Sequence, residues 1–502
     1  MLATILLAIP GFVLLWVLIT YVEHLISLRK YPKGPFPLPL IGNILLLSKK
    51  PFLDFDEMRK TYGDVFSISF GMKRVVVLNS YESIKEALIQ KTTELAGRPQ
   101  DSIPMKIATY NNKALGIMDY NKKFVFMRKL AYKSLHLYGS GMTKIEEKIV
   151  AGIEEMCSML CKEVDKPIFI RQHLAYSLVN TICHLCFSKK YDSHDPEFQN
   201  LLQAIEGTNV GLGLDQAITV FPWLRFFPDS KALKNLKTST VFIHGYIHRM
   251  FEEHKQTLNG EKIRDITDSL LYLSQNKEQW QDAGFEKVTQ EQLESIFHTL
   301  LFAAIETSLS SLRWFLIYIF HYPEVQREMY QEIVNKVGLK RQTVADDKDN
   351  LPYVQAVFLE VHRLASIVPL NVPHKAIVNT SVIGHHIPKD TQVLFNLYSM
   401  HYDPTHWDEP EKFKPERWLN ADGSLKKEKA THYLPFSAGV RGCLGERMAK
   451  MQMFLIVTRL LVNFEVSLAP GESMPDLKAG IMGLTYAPAS KFKIVLSPRD
   501  RK

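Results

Sequence analysis

Residues 433–450 read YLPFSAGVRGCLGERMAK and hold one cysteine, Cys443, in a loop of mostly small side chains. The apolar-rich residues that follow predict a helix over 445–464, so Cys443 stands at the mouth of that helix. A helix N-terminus lowers the pKa of a nearby thiol and favours the thiolate, the form of cysteine that binds metals. The stretch therefore raises the question of what a lone thiolate would bind here.

The neighbours of Cys443 suit a large flat ligand. Gly442 and Gly445 leave space beside the backbone, and Arg441 offers a planar fork of donors that matches a carboxylate. A thiolate, a guanidinium and a bare loop together fit a haem, with its iron on the sulfur and a propionate on the arginine. These residues alone leave a second interpretation equally open, an inert buried thiol at a helix start.

Composition narrows the classes of function. The chain has 502 residues, 46% hydrophobic content and a net charge of +8, so it can bury a large core. The mild positive charge fits an anionic membrane surface or an acidic protein partner at least as well as nucleic acid, and we predict no nucleic-acid binding. The sequence contains no Walker loop, GxGxxG fingerprint or zinc-finger spacing.

Five cysteines in so large a chain indicate a reducing compartment rather than a disulfide framework. Cys183 and Cys186 have the CxxC spacing of a redox or zinc half-motif. No second pair with metal spacing accompanies them, and they lie in LVNTICHLCF, an apolar helical run. We predict that both are buried structural thiols.

The amino-terminal segment MLATILLAIPGFVLLWVLITYV carries no charged side chain and is long enough to cross roughly 30 Å of hydrocarbon. A cleaved signal peptide would need a basic start and a small-residue cleavage site, whereas Arg29, Lys30 and Lys33 follow the apolar run. By the positive-inside rule we predict a retained membrane anchor over 1–28, with the rest of the chain in the cytosol.

Four prolines between Pro32 and Pro39 predict a stiff extended linker over 29–45. VFSISFG and RVVVLN predict a β-hairpin with its turn at Met72 and Lys73, and strand patterns return near 376–396. Helical periodicity dominates elsewhere, with predicted helices at 144–164, 172–187, 240–258, 290–320 and 323–337. We therefore predict a mainly α fold with a small β region and a catalytic domain over 46–502.

Phe436, Gly439, Arg441, Cys443 and Gly445 match every specified position of F-x-x-G-x-R-x-C-x-G, and on them the chain resembles the cytochrome P450 superfamily. The resemblance implies the cytochrome P450 fold and a bound haem b, iron protoporphyrin IX, with the Cys443 thiolate as the axial ligand of the iron. It also implies that the other four residues belong to the cofactor-binding loop.

Glu360 and Arg363 match the E-x-x-R pair of the same superfamily. At positions i and i+3 of a helix they share a face and can pair locally. The resemblance implies more, a buried network that includes Arg417 of FKPERW and supports the cysteine loop. A third partner is physically reasonable because a lone buried charge pair is costly.

The segment LLFAAIETSLSS, residues 300–311, matches the superfamily's oxygen-activation segment A-G-x-[DE]-T-[TS]. The resemblance makes Glu306 and Thr307 the catalytic acid–alcohol pair, which suits proton delivery to bound oxygen. The alternative for Thr307 is a simple bond to the carbonyl of residue 303, which can also open a groove for water. Ala304 stands where the pattern usually has glycine, which leaves the width of that groove open.

Three basic residues are the predicted partners of the haem propionates: Arg98 of GRPQ, Arg128 of KKFVFMRK and His374 of VPHKA. The segment around Arg128 departs from the superfamily, which usually has W-x-x-x-R, because Phe124 replaces the tryptophan. An indole N–H donor is therefore missing. We expect weaker haem retention or a compensating donor.

VPHKA, FPWLRFFP and KPERWLN are most similar to the steroid 17α-hydroxylase/17,20-lyase branch of animal microsomal enzymes. The resemblance implies a monooxygenase that hydroxylates a lipophilic substrate, a steroid in this branch, with O2 and electrons from NADPH. The chain has no flavin or iron–sulfur motif, so the electrons must come from another protein. The resemblance implies NADPH–cytochrome P450 reductase, with cytochrome b5 as a second candidate partner. An acidic partner would suit Arg128, Lys129, Lys133 and Lys450. The implied location is the endoplasmic reticulum membrane, with the catalytic domain facing the cytosol.

Three alternatives remain open. A broad-specificity xenobiotic- or fatty-acid-oxidising microsomal monooxygenase would keep the same chemistry and differ in its pocket. A haem-thiolate isomerase or dehydratase would need no reductase and often lacks the acid–threonine pair that Glu306 and Thr307 supply. A non-catalytic haem sensor or membrane-tethered binding module would keep Cys443 but has no reason to keep Thr307.

Overall fold

Helices make up 56% of the chain and strands 10%, which confirms the predicted mainly α fold with a small β region. The computed structural model describes residues 2–139, 143–214, 217–259, 262–275, 277–426 and 431–499. The helices are α1 (Leu2–Ser27), α2 (Pro51–Tyr62), α3 (Tyr81–Lys85), α4 (Ile103–Ala108), α5 (Lys122–Gly139), α6 (Thr143–Cys161), α7 (Ile170–Phe187), α8 (Pro196–Leu214), α9 (Ala217–Val220), α10 (Lys231–Thr257), α11 (Ile266–Leu273), α12 (Lys277–Asp282), α13 (Gln290–His321), α14 (Pro323–Lys336), α15 (Pro352–Ala365), α16 (Leu397–His401) and α17 (Glu446–Asn463).

The strands lie in one larger sheet and three small pairs. They are β1 (Val65–Phe70), β2 (Lys73–Leu78), β3 (His374–Lys375), β4 (Thr380–Val382), β5 (His385–Ile387), β6 (Gln392–Phe395), β7 (Phe464–Leu468), β8 (Gly480–Met482), β9 (Tyr486–Pro488) and β10 (Ile494–Pro498). The larger sheet has the order β1-β2-β6-β3, and the pairs are β10-β7, β4-β5 and β8-β9. Since β2 pairs in parallel with β6, the segment around His374 lies beside the amino-terminal hairpin.

The largest difference from the predicted helices lies at α10, which we expected from residue 240 and which begins at Lys231. Ser230 caps this earlier start, because its side chain accepts a hydrogen bond from the backbone N–H of Leu233. The predicted hairpin is present, but its two-residue turn is Gly71 and Met72 rather than Met72 and Lys73. Gly71 has a φ of +59°, a conformation that glycine adopts without strain.

The proline-rich residues 32–43 lie along β1 and are bonded to it. The hydroxyl of Ser67 donates to the carbonyl of Pro32 at 2.7 Å, and the backbone N–H of Ser69 donates to the side-chain oxygen of Asn43 at 2.8 Å. Gly34 passes so close that an added Cβ would lie 1.8 Å from the carbonyl oxygen of Ser67. The extended backbone predicted from the prolines is therefore held against the sheet.

The central helix, α13, runs through the largest hydrophobic core and carries the segment 300–311. Among the described residues it is the one helix long and apolar enough to cross a membrane, but 67% of its most apolar window is buried inside the protein, as in a core helix. The predicted anchor over 1–28 thus stays a prediction. Cys183 and Cys186 lie fully buried in α7, and burial raises the pKa of Cys183 to about 12, as expected for structural thiols.

Candidate functional site

The loop over 436–445 folds back on itself just before α17. The backbone N–H of Cys443 donates to the carbonyl of Phe436 at 3.0 Å, and that of Gly442 donates to the carbonyl of Gly439 at 3.0 Å. A short 3-10 turn, Gly439–Arg441, lies between these two bonds. The side chain of Cys443 stays exposed, so its sulfur is available to a ligand.

Gly439 and Gly445 differ in the space that the fold leaves for a side chain. Gly439 has a φ of +67°, and an added Cβ would lie 2.0 Å from the carbonyl oxygen of Leu88, so the fold itself requires a bare backbone there. At Gly445 the nearest atom to an added Cβ is the Cys443 sulfur, at 4.0 Å. The protein's own atoms would tolerate a side chain at Gly445, so the space beside the sulfur suits a bound group.

Although the side chain of Cys443 reaches the surface, the protein packed around it removes part of its hydration, and this desolvation raises the pKa of the thiol, contrary to the lowering that the helix N-terminus led us to expect. The backbone N–H groups of Gly445 and Glu446 and the guanidinium of Arg128 act to lower this pKa, but the Glu446 carboxylate reinforces the effect of burial. A cation bound directly to the sulfur, as a haem iron would be, would stabilise a thiolate at this position.

Arg441 and His374 each keep one buried nitrogen without a partner among the described residues. Arg441 donates from Nε to the carbonyl of Ala96 at 2.7 Å and from Nη2 to that of Met118 at 2.8 Å, which leaves Nη1. The ring of His374 bonds through Nδ1 to the carbonyl of Leu95 at 2.7 Å, which leaves Nε2. Because buried polar atoms normally have partners, Arg441 Nη1 indicates an acceptor from a bound group. His374 Nε2 carries no hydrogen in the neutral ring and would donate to such a group only as an imidazolium.

Arg98 and Arg128 add positive charge on the same side of Cys443. Arg98 is buried and donates through Nη1 to two backbone carbonyls, each at 3.0 Å. Burial lowers the pKa of Arg98 well below its usual range, and the nearby Arg441 and Arg128 lower it further. Arg128 donates through Nη2 to the carbonyl of Gly442 at 2.5 Å, so it braces the cysteine loop itself.

This basic cluster fits the propionates of a haem. The nearby carboxylate, Asp119, already accepts hydrogen bonds from Lys375 and from the backbone N–H of Arg98. Buried cations are stable only when they are paired. Two carboxylates on a bound group would pair with the guanidiniums and would accept from the free nitrogen of Arg441. They would also favour the imidazolium form of His374, whose Nε2 can then donate. A haem combines such carboxylates with an iron that binds thiolate.

Phe124 lies directly beside the guanidinium of Arg441. Its ring centroid is 3.7 Å from the guanidinium carbon of Arg441, and the side chain is buried. The missing tryptophan donor is thus not replaced by another N–H at position 124. The ring instead holds Arg441 by a cation–π contact.

We expect Phe124→Leu to speed haem loss several-fold, because leucine keeps apolar volume but removes a contact worth about 0.5–2 kcal/mol. The rate of haem transfer to excess apomyoglobin measures this effect. The matched control is Phe126→Leu, since Phe126 lies on the same helix and packs against Phe285. Equal rates for the two variants would contradict the role given to Phe124.

Glu360 is the centre of a fully buried polar network. Its Oε1 accepts from Arg363 Nη2 at 2.8 Å and from Arg417 Nε at 2.9 Å. Its Oε2 accepts from Arg363 Nε and from Trp418 Nε1, both at 2.9 Å. The Trp418 ring packs edge-on against Tyr433, with centroids 5.2 Å apart, so the network reaches the residue that begins the cysteine stretch.

Glu306 and Thr307 are neighbours on α13 but their side chains bond to different elements. The Thr307 hydroxyl donates to the carbonyl of Ala303 at 2.6 Å, the bond that the sequence allowed. Glu306 is buried and accepts from Asn209 Nδ2 of α8 at 3.1 Å. Burial raises the pKa of Glu306, so its carboxyl holds a proton to higher pH than an exposed glutamate.

Trp418 and Asn209 were not among the predicted site residues. Trp418 directly follows Arg417 in KPERW, so the motif itself offered a signal for a third donor to Glu360. Asn209 lies in α8, far from Glu306 in sequence, and nothing in the local pattern joins the two. The predicted site residues otherwise divide among three places: the basic cluster around Cys443, the segment of α13, and the buried network of Glu360, Arg363 and Arg417.

Comparison with known proteins agrees with this geometry. A family model described as Cytochrome P450 matches residues 32–494. Steroid 17-alpha-hydroxylase/17,20 lyase of Ictalurus punctatus is 32% identical over 484 residues, which cover 95% of this chain and 91% of that protein. The Squalus acanthias enzyme of the same name is 33% identical over 482 residues, covering 95% and 94%. The Homo sapiens enzyme is 30% identical over 476 residues, covering 94% and 93%.

A solved structure shows the same similarity in three dimensions. A zebra fish cytochrome P450 with progesterone superposes with a TM-score of 0.79 at 30% sequence identity, covering 89% of this chain and 99% of that one. The family match and these relatives span nearly the whole chain and include the cysteine loop. The chain therefore belongs to the cytochrome P450 family and is a monooxygenase.

Proposed function

We propose that this monooxygenase binds haem b through Cys443 and hydroxylates a steroid, with O2 and with electrons from NADPH–cytochrome P450 reductase. The observation that carries the haem assignment is the cluster of buried basic side chains beside Cys443, which leaves Arg441 Nη1 for an acceptor. The steroid assignment is supported by relatives named steroid 17-alpha-hydroxylase/17,20 lyase and by the solved relative with progesterone.

The residues of the chain divide the work of holding the haem. Cys443 would bind the iron through its thiolate, and Arg441, Arg98 and His374 would bind the propionates. Arg128 keeps the loop in place through the Gly442 carbonyl. Phe436, Gly439 and Gly445 shape the loop around the sulfur. When bound, haem supplies the activation of dioxygen and the transfer of one oxygen atom to a C–H bond.

Glu306 and Thr307 of α13 deliver protons to the site. The raised pKa of Glu306 lets its carboxyl hold a proton to higher pH than an exposed glutamate does. Adjacent residues of an α-helix point about 100° apart, so a water must connect this carboxyl with the Thr307 hydroxyl. Thr307 donates to Ala303, so its oxygen lone pairs can accept from that water. To pass a proton on, the hydroxyl must turn its own hydrogen away from the Ala303 carbonyl.

We expect Thr307→Ala to lower the ratio of product formed to oxygen consumed several-fold, because protons would then reach oxygen by an unguided route. Oxygen uptake and product are measured in the same reaction. Thr299→Ala is the matched control, since the Thr299 hydroxyl makes the same kind of bond, to the carbonyl of Ser295 at 3.1 Å. Unchanged coupling in Thr307→Ala would remove the proposed role of Thr307.

The substrate is tested by binding and then by turnover. A steroid panel added to the haem-loaded protein should shift the haem absorption spectrum, and NADPH with reductase should convert the binders to hydroxylated products. Broad turnover of unrelated lipophilic compounds with no preference for steroids would favour the xenobiotic- or fatty-acid-oxidising alternative. Product formed without NADPH would favour the isomerase.

Exposed apolar and basic side chains support the proposed location and partners. In α1 the exposed apolar side chains that the structure describes include Phe12, Leu14 and Trp16, and Trp223 and Phe226 before α10 are exposed as well. This supports a single anchor over 1–28 in the endoplasmic reticulum membrane, with the catalytic domain in the cytosol. Lys129 and Lys133 of α5 are exposed, so they suit an acidic reductase or cytochrome b5. Lys450, in contrast, pairs with Glu446.

A further inference from the structure

A cavity of about 330 Å³ lies between the start of α7, α8, α13 and the segment before β10. All of its lining residues belong to the described part of the chain. Three of them are basic, Arg171, Arg313 and Lys491, and one is acidic, Glu206. The aromatic rings of Phe169 and Phe492 complete the wall. This cavity is separate from the cysteine loop and contains none of the residues assigned to haem binding.

The charges that line this cavity are not balanced. Three cations face one carboxylate, which leaves an excess of two positive charges. Arg171 lies 3.2 Å from Glu206, so that pair is already made. Arg313 uses Nη2 for the backbone carbonyls of Pro488 and Ser490, at 3.1 and 2.9 Å.

The other two cations of the wall differ in their surroundings. Burial lowers the pKa of Arg313 to about 10, which reflects the cost of holding its charge in the protein. Lys491 is exposed at the rim and has no ion pair among the described residues. The cavity can therefore stabilise an added negative charge.

The first turn of α7 adds a smaller attraction. Phe169 occupies the N-cap position and offers no side-chain acceptor, so no cap hydrogen bond is made. The backbone N–H groups at such an N-terminus carry partial positive charge. Since Phe169, Ile170 and Arg171 all line the cavity, this end of the helix reinforces the charge of the side chains.

We propose that this cavity binds an oxyanion, a sulfate or phosphate group, either free or carried on an aromatic ring. Guanidinium and ammonium groups are strong donors to such oxygens. Phe169 and Phe492 leave apolar surface beside the charges for a ring. The binding site goes beyond the proposed function and does not depend on it.

Binding of an anion in this cavity would raise the pKa of Glu306. The effect of this change on oxygen coupling rests on the proposed function. Burial is the main cause that raises the pKa of Glu306, and Glu206 raises it further. Arg171, Arg313 and the hydrogen bond from Asn209 act to lower it. An anion beside the two arginines weakens their effect, so the pKa of Glu306 rises. The loss of oxygen coupling as Glu306 deprotonates would then move to higher pH.

Equilibrium dialysis of the full-length, haem-loaded protein against radiolabelled sulfate tests the site, with ionic strength held constant by chloride. We expect one saturable site per chain. Arg171→Gln and Lys491→Gln should each weaken binding about tenfold, since each removes one charge-assisted contact. Lys166→Gln is the matched control, because Lys166 is an exposed lysine just before α7 that does not line the cavity.

The outcomes separate the claims. Absence of saturable binding, or binding that Arg171→Gln and Lys491→Gln leave unchanged, overturns the site. Displacement of sulfate by phenyl sulfate at lower concentration than by unlabelled sulfate assigns a ring-bearing ligand, and equal displacement assigns a free oxyanion. Sulfate binding in a protein that turns over no steroid refutes the proposed function alone, and the oxyanion site stands.

Discussion

The Cys443→Ser variant is expected to lose monooxygenase activity by more than about 1,000-fold, a loss of about 4 kcal/mol of transition-state stabilisation. A thiolate donates electron density to the iron and so favours O–O cleavage, which a neutral hydroxyl does much less. A serine hydroxyl has nearly the same size but stays protonated at neutral pH, because its pKa is far above that of a thiol. The variant should therefore keep its fold and lose the chemistry.

The spectrum separates ligand loss from misfolding. Reduced wild-type protein with carbon monoxide should show the long-wavelength band that gives the family its name, and Cys443→Ser should not. Haem content, measured as the pyridine complex, tells whether the variant still binds the cofactor. Cys161→Ser is the matched control, because Cys161 is a free, exposed thiol at the end of α6. A normal band in Cys443→Ser would refute the ligand assignment.

The parts of the site that the sequence predicted are those written in one continuous segment. The loop over 436–445 brings five motif positions together through backbone bonds only a few residues long. Glu360 and Arg363 stand one helical turn apart and meet for the same reason. Backbone sterics and hydrogen bonding set short-range geometry, so the pattern of residues is enough to predict it.

Properties that depend on contacts between segments distant in the chain could not be predicted from the sequence. The helix N-terminus predicted a lowered pKa for Cys443, but burial by the surrounding fold raises it. The stacking of Phe124 on Arg441 joins α5 to the cysteine loop, and the bond from Asn209 to Glu306 joins α8 to α13. Each of these effects is a consequence of tertiary packing, which no local motif encodes.

The proline-rich segment shows the same limit in the backbone. Its sequence predicted extended conformation, because proline restricts φ and its predecessor. What the sequence could not indicate is that the carbonyl of Pro32 accepts from Ser67 of β1 and that Gly34 fits tightly against that strand. The extended conformation could be predicted from the local sequence, but the contacts with β1 could not.

The Glu360→Gln variant should lose about 3–5 kcal/mol in its free energy of unfolding, because removing one partner of a buried ion network leaves uncompensated charge. Arg363 is fully buried and Arg417 nearly so. Their other donors are already used on backbone carbonyls, for example those of His401 and Asp408. Neither guanidinium can therefore turn to water when the carboxylate is lost.

In Glu360→Gln, unfolding should begin at the cysteine stretch, residues 433–450. Trp418 donates to Glu360 and its ring packs on Tyr433, so a disturbance of the network reaches the loop through two direct contacts. The haem band should accordingly disappear at a lower urea concentration than the tryptophan fluorescence change that reports unfolding of the whole body. In wild-type protein we expect the two transitions to lie closer together.

The matched control for this variant is Glu416→Gln, which makes the same chemical change at an exposed glutamate in the same 3-10 turn as Arg417. Surface charges of this kind contribute about 0–1 kcal/mol, so the control should unfold nearly as the wild type does. Equal stability of the two variants would show that the buried guanidiniums find another counter-charge, and Glu360 would then not be the residue on which the network depends. A large loss confined to Glu360→Gln would instead mean that one carboxylate holds α15, the turn at Arg417 and the cysteine stretch together.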